Sequence, residues 1–364
     1  MSNLNKNRKI MFSVFKHAPF KKETVGILNY INLRKLNKLR TPENIIFFVT
    51  NNCNAKCKHC FYWRSLNEKD ILNLIQIKKI VSSLKNRVST LLITGGEPLL
   101  RNDIYDIIKL FYDINHLKKI QLVSNGSMPE KLYKLSNRIL NTMDIELSIQ
   151  ISIDGDEKYH NELRGVKIYS KAVESLKLLK RLEKDGLLLS SLTVLTKENL
   201  NQIDSVSKKM EELGVNWGFQ ILRDSNKGII GLDKDFINNY NPKENLSPSI
   251  KEIKELVNKY YIKDDLDNVI KRSIFKISLE VLNNQKPDLK CVGGISDAVI
   301  YSSGDVALCE VAKPFDNLKN YNFDFYELWK SKKANLARGK IKNCSCIHPC
   351  HIINSMKYDY RCFI

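Results

Sequence analysis

The sequence predicts an α/β fold, a partial (β/α)6 TIM-like barrel followed by a small cysteine-rich C-terminal domain. Three observations predict it. Short β-branched and aromatic runs alternate with segments of helical period about six times between residues 43 and 221. Three cysteines crowd the loop after the first of these runs, where parallel α/β folds build their sites. The other six cysteines all follow residue 286, after the alternation has stopped.

The elements follow in order. "ENIIFFVT" at residue 43 reads as a buried strand. Residues 72–84 read as a helix with Leu74, Ile77, Val81 and Leu84 on one face. "TLLITGGEP" is a strand that ends in glycines, and Ile104, Ile107, Ile108 and Phe111 mark the next helix. "IQLVSNG" is a strand, and residues 129–140 form a helix opened by Pro129. "DIELSIQISIDG" is a long strand region, 170–184 a helix, "LLLSSLTVLT" a strand, 200–213 a helix and "WGFQIL" the sixth strand. Alternation of this kind implies parallel strands joined by right-handed crossovers. The expected divisions are a basic segment 1–42, the barrel 43–225, a polar linker or lid with a helical stretch 226–285, and the cysteine-rich domain 286–364.

Composition narrows the function. A chain of 364 residues has room for about two domains and a core that needs no disulfide staples. No apolar run is long enough to span a membrane, and the N-terminus lacks the apolar stretch of a secretory signal. The expected location is the cytoplasm, where thiols stay reduced. Nine is an odd number of cysteines, so metal binding or redox chemistry remains. The net charge of +19 fits an anionic partner or a solvated surface. The densest basic stretch, "LRKLNKLR" at 33–40, reads as a short helix packed on the domain, the alternative being a membrane-surface or partner contact.

"NNCNAKCKHCFYWRS" places Cys53, Cys57 and Cys60 in the pattern C-x3-C-x2-C. Random placement of nine cysteines would give this spacing roughly 0.006 times. Structural zinc wants four ligands, and His59 is poorly placed to be the fourth. A dithiol pair would leave Cys53 unexplained. A [4Fe–4S] cube on three thiolates keeps one iron open for another ligand, which explains the count.

C-x3-C-x2-C after the first strand of such a barrel resembles the radical S-adenosylmethionine (SAM) superfamily. The resemblance implies that Cys53, Cys57 and Cys60 hold a [4Fe–4S] cluster whose open iron binds SAM, and that one-electron cleavage gives a hydrogen-abstracting 5′-deoxyadenosyl radical. It puts His59 at the usual aromatic position and Tyr62 near the adenine. "TGGEP" at 94–98 agrees. Gly95 and Gly96 permit close backbone approach, and Glu97 offers a carboxylate. By resemblance, the backbone and carboxylate of this motif hold SAM's amino group. Ser152 and Arg164 are then expected at SAM's carboxylate. Strand-end polar groups, among them Ser124, Asn125 and Asp154, are expected near the ribose. Taken singly, each of these is more often a cap, turn or surface residue.

Cys291, Gly304 and Cys309 match the opening of the SPASM or twitch extensions of that superfamily, which bind auxiliary iron–sulfur clusters. The middle then reads C-x1-C-x3-C through Cys344, Cys346 and Cys350, where a full SPASM domain has C-x2-C-x5-C-x3-C. Six thiols cannot fully ligate two cubes. The expectation is one auxiliary [4Fe–4S] cluster on Cys291, Cys309 and two of Cys344, Cys346 and Cys350. Cys362 then serves a second, incomplete cluster or stays free. The alternative is a zinc site on Cys344, Cys346, Cys350 and His351.

The resemblance implies a radical SAM oxidoreductase or maturase that oxidises or crosslinks a peptide or protein. The rival is a dehydrogenase or epimerase of a sugar or cyclitol, and a non-catalytic iron–sulfur or zinc module is the reading from another class. A low-potential electron donor such as flavodoxin or ferredoxin is implied. No peptide-recognition domain is evident, which weakens the peptide reading but leaves room for a separate recognition protein. Glu310 resembles the acidic residue after the corresponding cysteine in anaerobic sulfatase-maturing enzymes, where it acts as a base. The plainer expectation for Glu310 is a solvent-facing side chain.

Overall fold

The computed structural model describes residues 32, 34–68, 72–85, 87–224, 227–238, 246–341 and 343–359. The six expected strands form: β1 (Asn44–Thr50), β2 (Thr90–Gly95), β3 (Lys119–Ser124), β4 (Glu146–Ser152), β5 (Leu188–Leu195) and β6 (Asn216–Ile221). They pair in parallel and in chain order. The helices between them are α1 (Leu74–Ser83), α2 (Ile104–Asn115), α3 (Pro129–Thr142), α4 (Glu157–Arg164), α5 (Tyr169–Lys180) and α6 (Ile203–Glu212). Alternate residues of a strand face opposite sides of a sheet. Ile45, Phe47 and Val49 of β1 therefore pack with Ile77, Ile80 and Phe111 of the helices. Ile46 and Phe48 point to the other face, where they meet Val299 and Tyr301.

The C-terminal part completes this sheet. Two helices, α7 (Ile250–Tyr260) and α8 (Leu266–Leu282), occupy the stretch that reads as continuously helical. Asp265 divides it, since its side chain caps α8 by accepting the Asn268 N–H at 2.9 Å. The short strands β7 (Ile229–Ile230), β8 (Asp297–Ile300), β9 (Asp305–Ala307), β10 (Asp316–Asn317) and β11 (Ser345–Cys346) follow, with α9 (Phe325–Trp329), α10 (Lys332–Ile341) and α11 (Pro349–Met356) among them. β8 pairs in parallel with β1, and β9 and β10 add antiparallel, so the order is β10-β9-β8-β1-β2-β3-β4-β5-β6. β1 is thus an interior strand, and all seven of its residues are buried. β7 and β11 form a separate antiparallel pair that ties the stretch after β6 to the last cysteines.

In the basic stretch, residues 34–36 are helical and Leu36 is buried, which fits a helix packed on the domain. Among the described residues no helix is long and apolar enough to cross a membrane.

Candidate active site

The loop after β1 carries the first three thiols. Its backbone is gripped from two sides. On one side, Gly96 N donates to Thr50 O and Glu97 N to Asn52 O, both at 2.8 Å. A Cβ on Gly95 would stand 2.3 Å from the Thr50 carbonyl oxygen, and one on Gly96 would stand 2.1 Å from that of Asn52. Gly95 also adopts φ +139°. Both glycines are therefore needed for the contact of two chain segments. On the other side, Lys56 N and Lys58 N donate to the carbonyls of Arg164 and Leu163, the last residues of α4, each at 2.9 Å.

Within this grip Cys53, Cys57 and Cys60 lie close enough to feel one another's charge. Burial pushes the thiols up, Cys53 to about 11 and Cys60 to about 12, and the field of Cys57 raises both further. Cys57 is raised too, by burial first, against the Arg164 charge that lowers it. Three desolvated sulfurs in one place suit a cationic iron cluster, which stabilises the thiolate forms. Ala55 N already donates to Cys53 Sγ at 3.4 Å.

Glu97 is fully buried and its carboxylate is committed to protein. Oε1 accepts Ser124 Oγ at 2.9 Å and Leu99 N at 3.2 Å, and Oε2 accepts Asn125 N at 2.8 Å. Burial pushes its carboxyl up, against these hydrogen bonds. The side chain fastens the end of β2 to the end of β3. Asn125 Nδ2 reaches back to Asn54 Oδ1 at 2.8 Å, inside the cysteine loop. Ser152 is half-buried at the C-terminal end of β4. Arg164, 7% exposed, forks onto Asp154 Oδ2 with Nε and Nη2 at 2.7 Å each. Tyr62 stacks on Tyr301 with ring centroids 6.0 Å apart, packs on Phe48 at 4.8 Å and donates its hydroxyl to Asn51 Oδ1. Asn51 Oδ1 also accepts Ser302 Oγ at 2.6 Å, which ties the cysteine loop to the turn after β8.

A second set of thiols gathers beyond β8. Cys291, Cys344 and Cys346 line one small cavity. Gly293 separates Cys291 from Cys309; a Cβ there would lie 3.3 Å from Cys291 Sγ and 3.5 Å from Cys309 Cβ. Burial pushes all four thiols up, and each of Cys309, Cys344 and Cys346 also feels the field of Cys291. Gly293 N donates to Cys291 Sγ at 3.4 Å. Four cysteines match the ligand set of one cube.

Cys350 is not among them. Cys344 and Cys346 flank or belong to β11 two residues apart, so they share a face. Cys350 sits in the first turn of α11 and packs instead with Phe48, Tyr301, Phe61 and Tyr62. The field it feels most, after burial, comes from Glu310. The zinc alternative loses a ligand as well. Both ring nitrogens of His351 are engaged, Nδ1 with Asp297 Oδ2 at 3.1 Å and Nε2 with the Glu310 N–H at 3.2 Å. Among the described residues no group of three His, Cys, Asp or Glu side chains is arranged around a single metal ion. Cys362 lies outside the described residues.

Glu310 corrects the plainer expectation, because it is only 3% exposed. Oε1 accepts Arg223 Nη1 at 2.7 Å, while Oε2 is buried with no hydrogen-bond partner. The Arg223 guanidinium also lies 4.2 Å from the Phe61 ring centroid, next to the first thiol set. Arg223, just past β6, is a residue that sequence reading missed; its only signal is its position after the sixth strand.

A sequence profile of the radical SAM superfamily matches residues 47–210. Residues 47–210 are a radical SAM superfamily region. The matched region holds Cys53, Cys57, Cys60, the TGGEP motif and Arg164. A subtilosin biosynthesis protein, AlbA of Bacillus subtilis strain 168, is 27% identical over 188 residues, which is 50% of this chain and 40% of AlbA. A probable GTP 3′,8-cyclase of Sulfurisphaera tokodaii is 28% identical over 180 residues, 49% of this chain and 55% of the cyclase. These matches span less than two thirds of the curated relatives' own length. Among solved structures, anSMEcpe with bound AdoMet and a Cp18Cys peptide superposes with TM-score 0.56 at 19% identity, covering 82% of each chain. SuiB of Streptococcus suis superposes with TM-score 0.58 at 18% identity, over 90% of this chain and 76% of SuiB. The fold shared with these two structures extends beyond the profile into the C-terminal segment.

Proposed function

We propose that the chain is a radical SAM maturase that oxidises or crosslinks a peptide or protein, with a single auxiliary [4Fe–4S] cluster. The observation that carries this reading is the gathering of four thiols, the buried Cys309, Cys344 and Cys346 about the half-buried Cys291, beside the sheet that bears the first three. When bound, the first cluster and SAM supply one-electron cleavage of SAM and abstraction of a substrate hydrogen. The protein's part is positioning. Gly95, Gly96 and Glu97 fix the cysteine loop against β2 and β3, and Arg164 offers a cation beside Cys57. Phe61, Tyr62 and Cys350 pack against the hydrophobic cluster that holds Tyr301. The charge of Glu310 acts on Tyr301 and Cys350, and its Oε2, without a hydrogen-bond partner, is the oxygen to accept a substrate proton. The peptide reading is supported by the fold, since SuiB has been solved with precursor peptide SuiA and anSMEcpe with a Cp18Cys peptide.

Anaerobic reconstitution tests the reading. The wild-type chain is expected to bind about eight irons and to cleave SAM. A Cys53/Cys57/Cys60→Ala variant keeps about four and cleaves none; Cys346→Ala loses about four and still cleaves; Cys350→Ala keeps about eight. Loss of iron in Cys350→Ala with retention in Cys346→Ala would refute the ligand set. The substrate class is tested by 5′-deoxyadenosine release with an unmodified synthetic peptide library and, separately, with hexoses and aminocyclitols. Stimulation by the sugars alone would replace the peptide reading with the dehydrogenase or epimerase.

A further inference from the structure

We propose that Asp154 is a positioning residue for the first cluster, holding the Arg164 guanidinium beside Cys57 and offsetting the positive charge that the cluster meets there. The proposal rests on Cys53, Cys57 and Cys60 being the ligands of that cluster.

Asp154 lies just past β4 and is fully buried. Every polar atom of it has a protein partner. Oδ2 takes both Arg164 bonds at 2.7 Å. Oδ1 accepts Val194 N of β5 at 3.1 Å. Its backbone N donates to His160 Nδ1 at 3.2 Å, and its carbonyl accepts Asn199 Nδ2 at 3.1 Å. The carboxylate is thus turned to the protein.

Arg164 in turn belongs to the cysteine loop as much as to α4. Its carbonyl and that of Leu163 hold the residues on either side of Cys57, and a Cβ on Gly165 would stand 2.9 Å from Lys56 O. The Arg164 charge also acts on Cys57. One cation is therefore fixed by a buried carboxylate at the edge of the cysteine loop.

The other groups at this place are His59, His160 and Glu97. His59 Nε2 stands 3.9 Å from Asp154 Oδ2. Arg164 and Asp154 form a buried ion pair at 2.7 Å, in a site that salt screens poorly. Reduction adds an electron to the cluster, and a nearby unopposed cation favours that step. A purely structural Asp154, which merely pins α4 to β5, would alter cluster loading but not the potential of the clusters that do load.

The experiment is an EPR-monitored redox titration of the full reconstituted chain, following the signal that changes when SAM is added. The variants are Asp154→Asn, Arg164→Gln and the double substitution. Asp154→Asn is expected to shift the midpoint upward and Arg164→Gln downward, with the double variant between them, close to wild type. Wild-type midpoints in all three would overturn the proposal. If Asp154→Asn takes up no iron, Arg164→Gln and the double variant decide: the double must titrate above the single, and equal midpoints refute the charge pairing. Absence of any SAM-sensitive signal in the wild-type chain would overturn the cluster assignment itself, and the proposal with it.

Discussion

Gly96→Ala should damage the first cluster site more than its size suggests. The added Cβ would stand 2.1 Å from the Asn52 carbonyl oxygen, 2.5 Å from the Asn52 carbonyl carbon and 2.9 Å from the Asn51 oxygen. All three are backbone atoms, so no side chain can swing away. Relaxed C···O contacts lie at about 3.3–3.6 Å, so the two segments must separate by roughly 1 Å. That movement breaks the 2.8 Å bond from Glu97 N to Asn52 O, a net loss of about 1 kcal/mol. Overpacking adds about 1–3 kcal/mol. The sum is a destabilisation of about 2–4 kcal/mol, centred one residue from Cys53. Two assays read it: the denaturant midpoint of the iron-free chain, and the iron content after reconstitution. The midpoint should fall, and iron should drop to the roughly four atoms of the auxiliary site. Gly339→Ala is the control, since nothing lies within 4 Å of its Cβ and it sits in α10. That change should stabilise by about 0.5–1 kcal/mol. If Gly96→Ala behaves like Gly339→Ala, the close approach of the two motifs is not what requires glycine.

Two further outcomes follow from buried charge. Arg223→Leu leaves the Glu310 carboxylate buried without its cation and should destabilise by about 3–5 kcal/mol, with Arg223→Leu/Glu310→Leu recovering most of it; equal losses in the two variants, measured by chemical denaturation, would contradict the pairing. His160 is held down to about 4, first by burial, while the unfolded imidazole titrates near 6.5. Between those values the unfolded chain binds the extra proton, so stability is lost as pH falls from about 6.5 toward 4, at about 1.4 kcal/mol per pH unit from this group. His160→Asn keeps an acceptor for Asp154 N and should flatten that slope; an unchanged slope would show that His160 contributes nothing to it.

The β/α rhythm was legible because each strand and helix writes its own period into local sequence. The exceptions have physical causes. α4 carries little apolar pattern, since its buried residues are His160, Leu163 and Arg164, and "HNELRG" draws attention to the arginine alone. The first cysteine set and TGGEP are local motifs and could be read directly, but what the glycines contact could not. Their neighbours are Thr50 and Asn52, about 45 residues earlier, not a ligand alone. Burial of Glu310 depends on Arg223, 87 residues away, and leaves no local trace. The face shared by Cys344 and Cys346 follows from their spacing once β11 is known, yet a two-residue strand gives no propensity signal of its own.

The pairing of β8 with β1 bears on how the chain is made. Asn44 and Asp297, joined by a 2.9 Å side-chain bond and by strand register, are separated by 253 positions. During synthesis β1 can pair with β2 almost at once, but its other edge stays open until the 253 positions to Asp297 have been made. An open edge of a buried, apolar strand is a template for pairing with another chain. The nascent radical SAM half is therefore exposed to aggregation for the whole interval between its own completion and the arrival of the C-terminal segment. Iron insertion at Cys53, Cys57 and Cys60 during that interval would occur on a loop with one of its two flanking strands still missing.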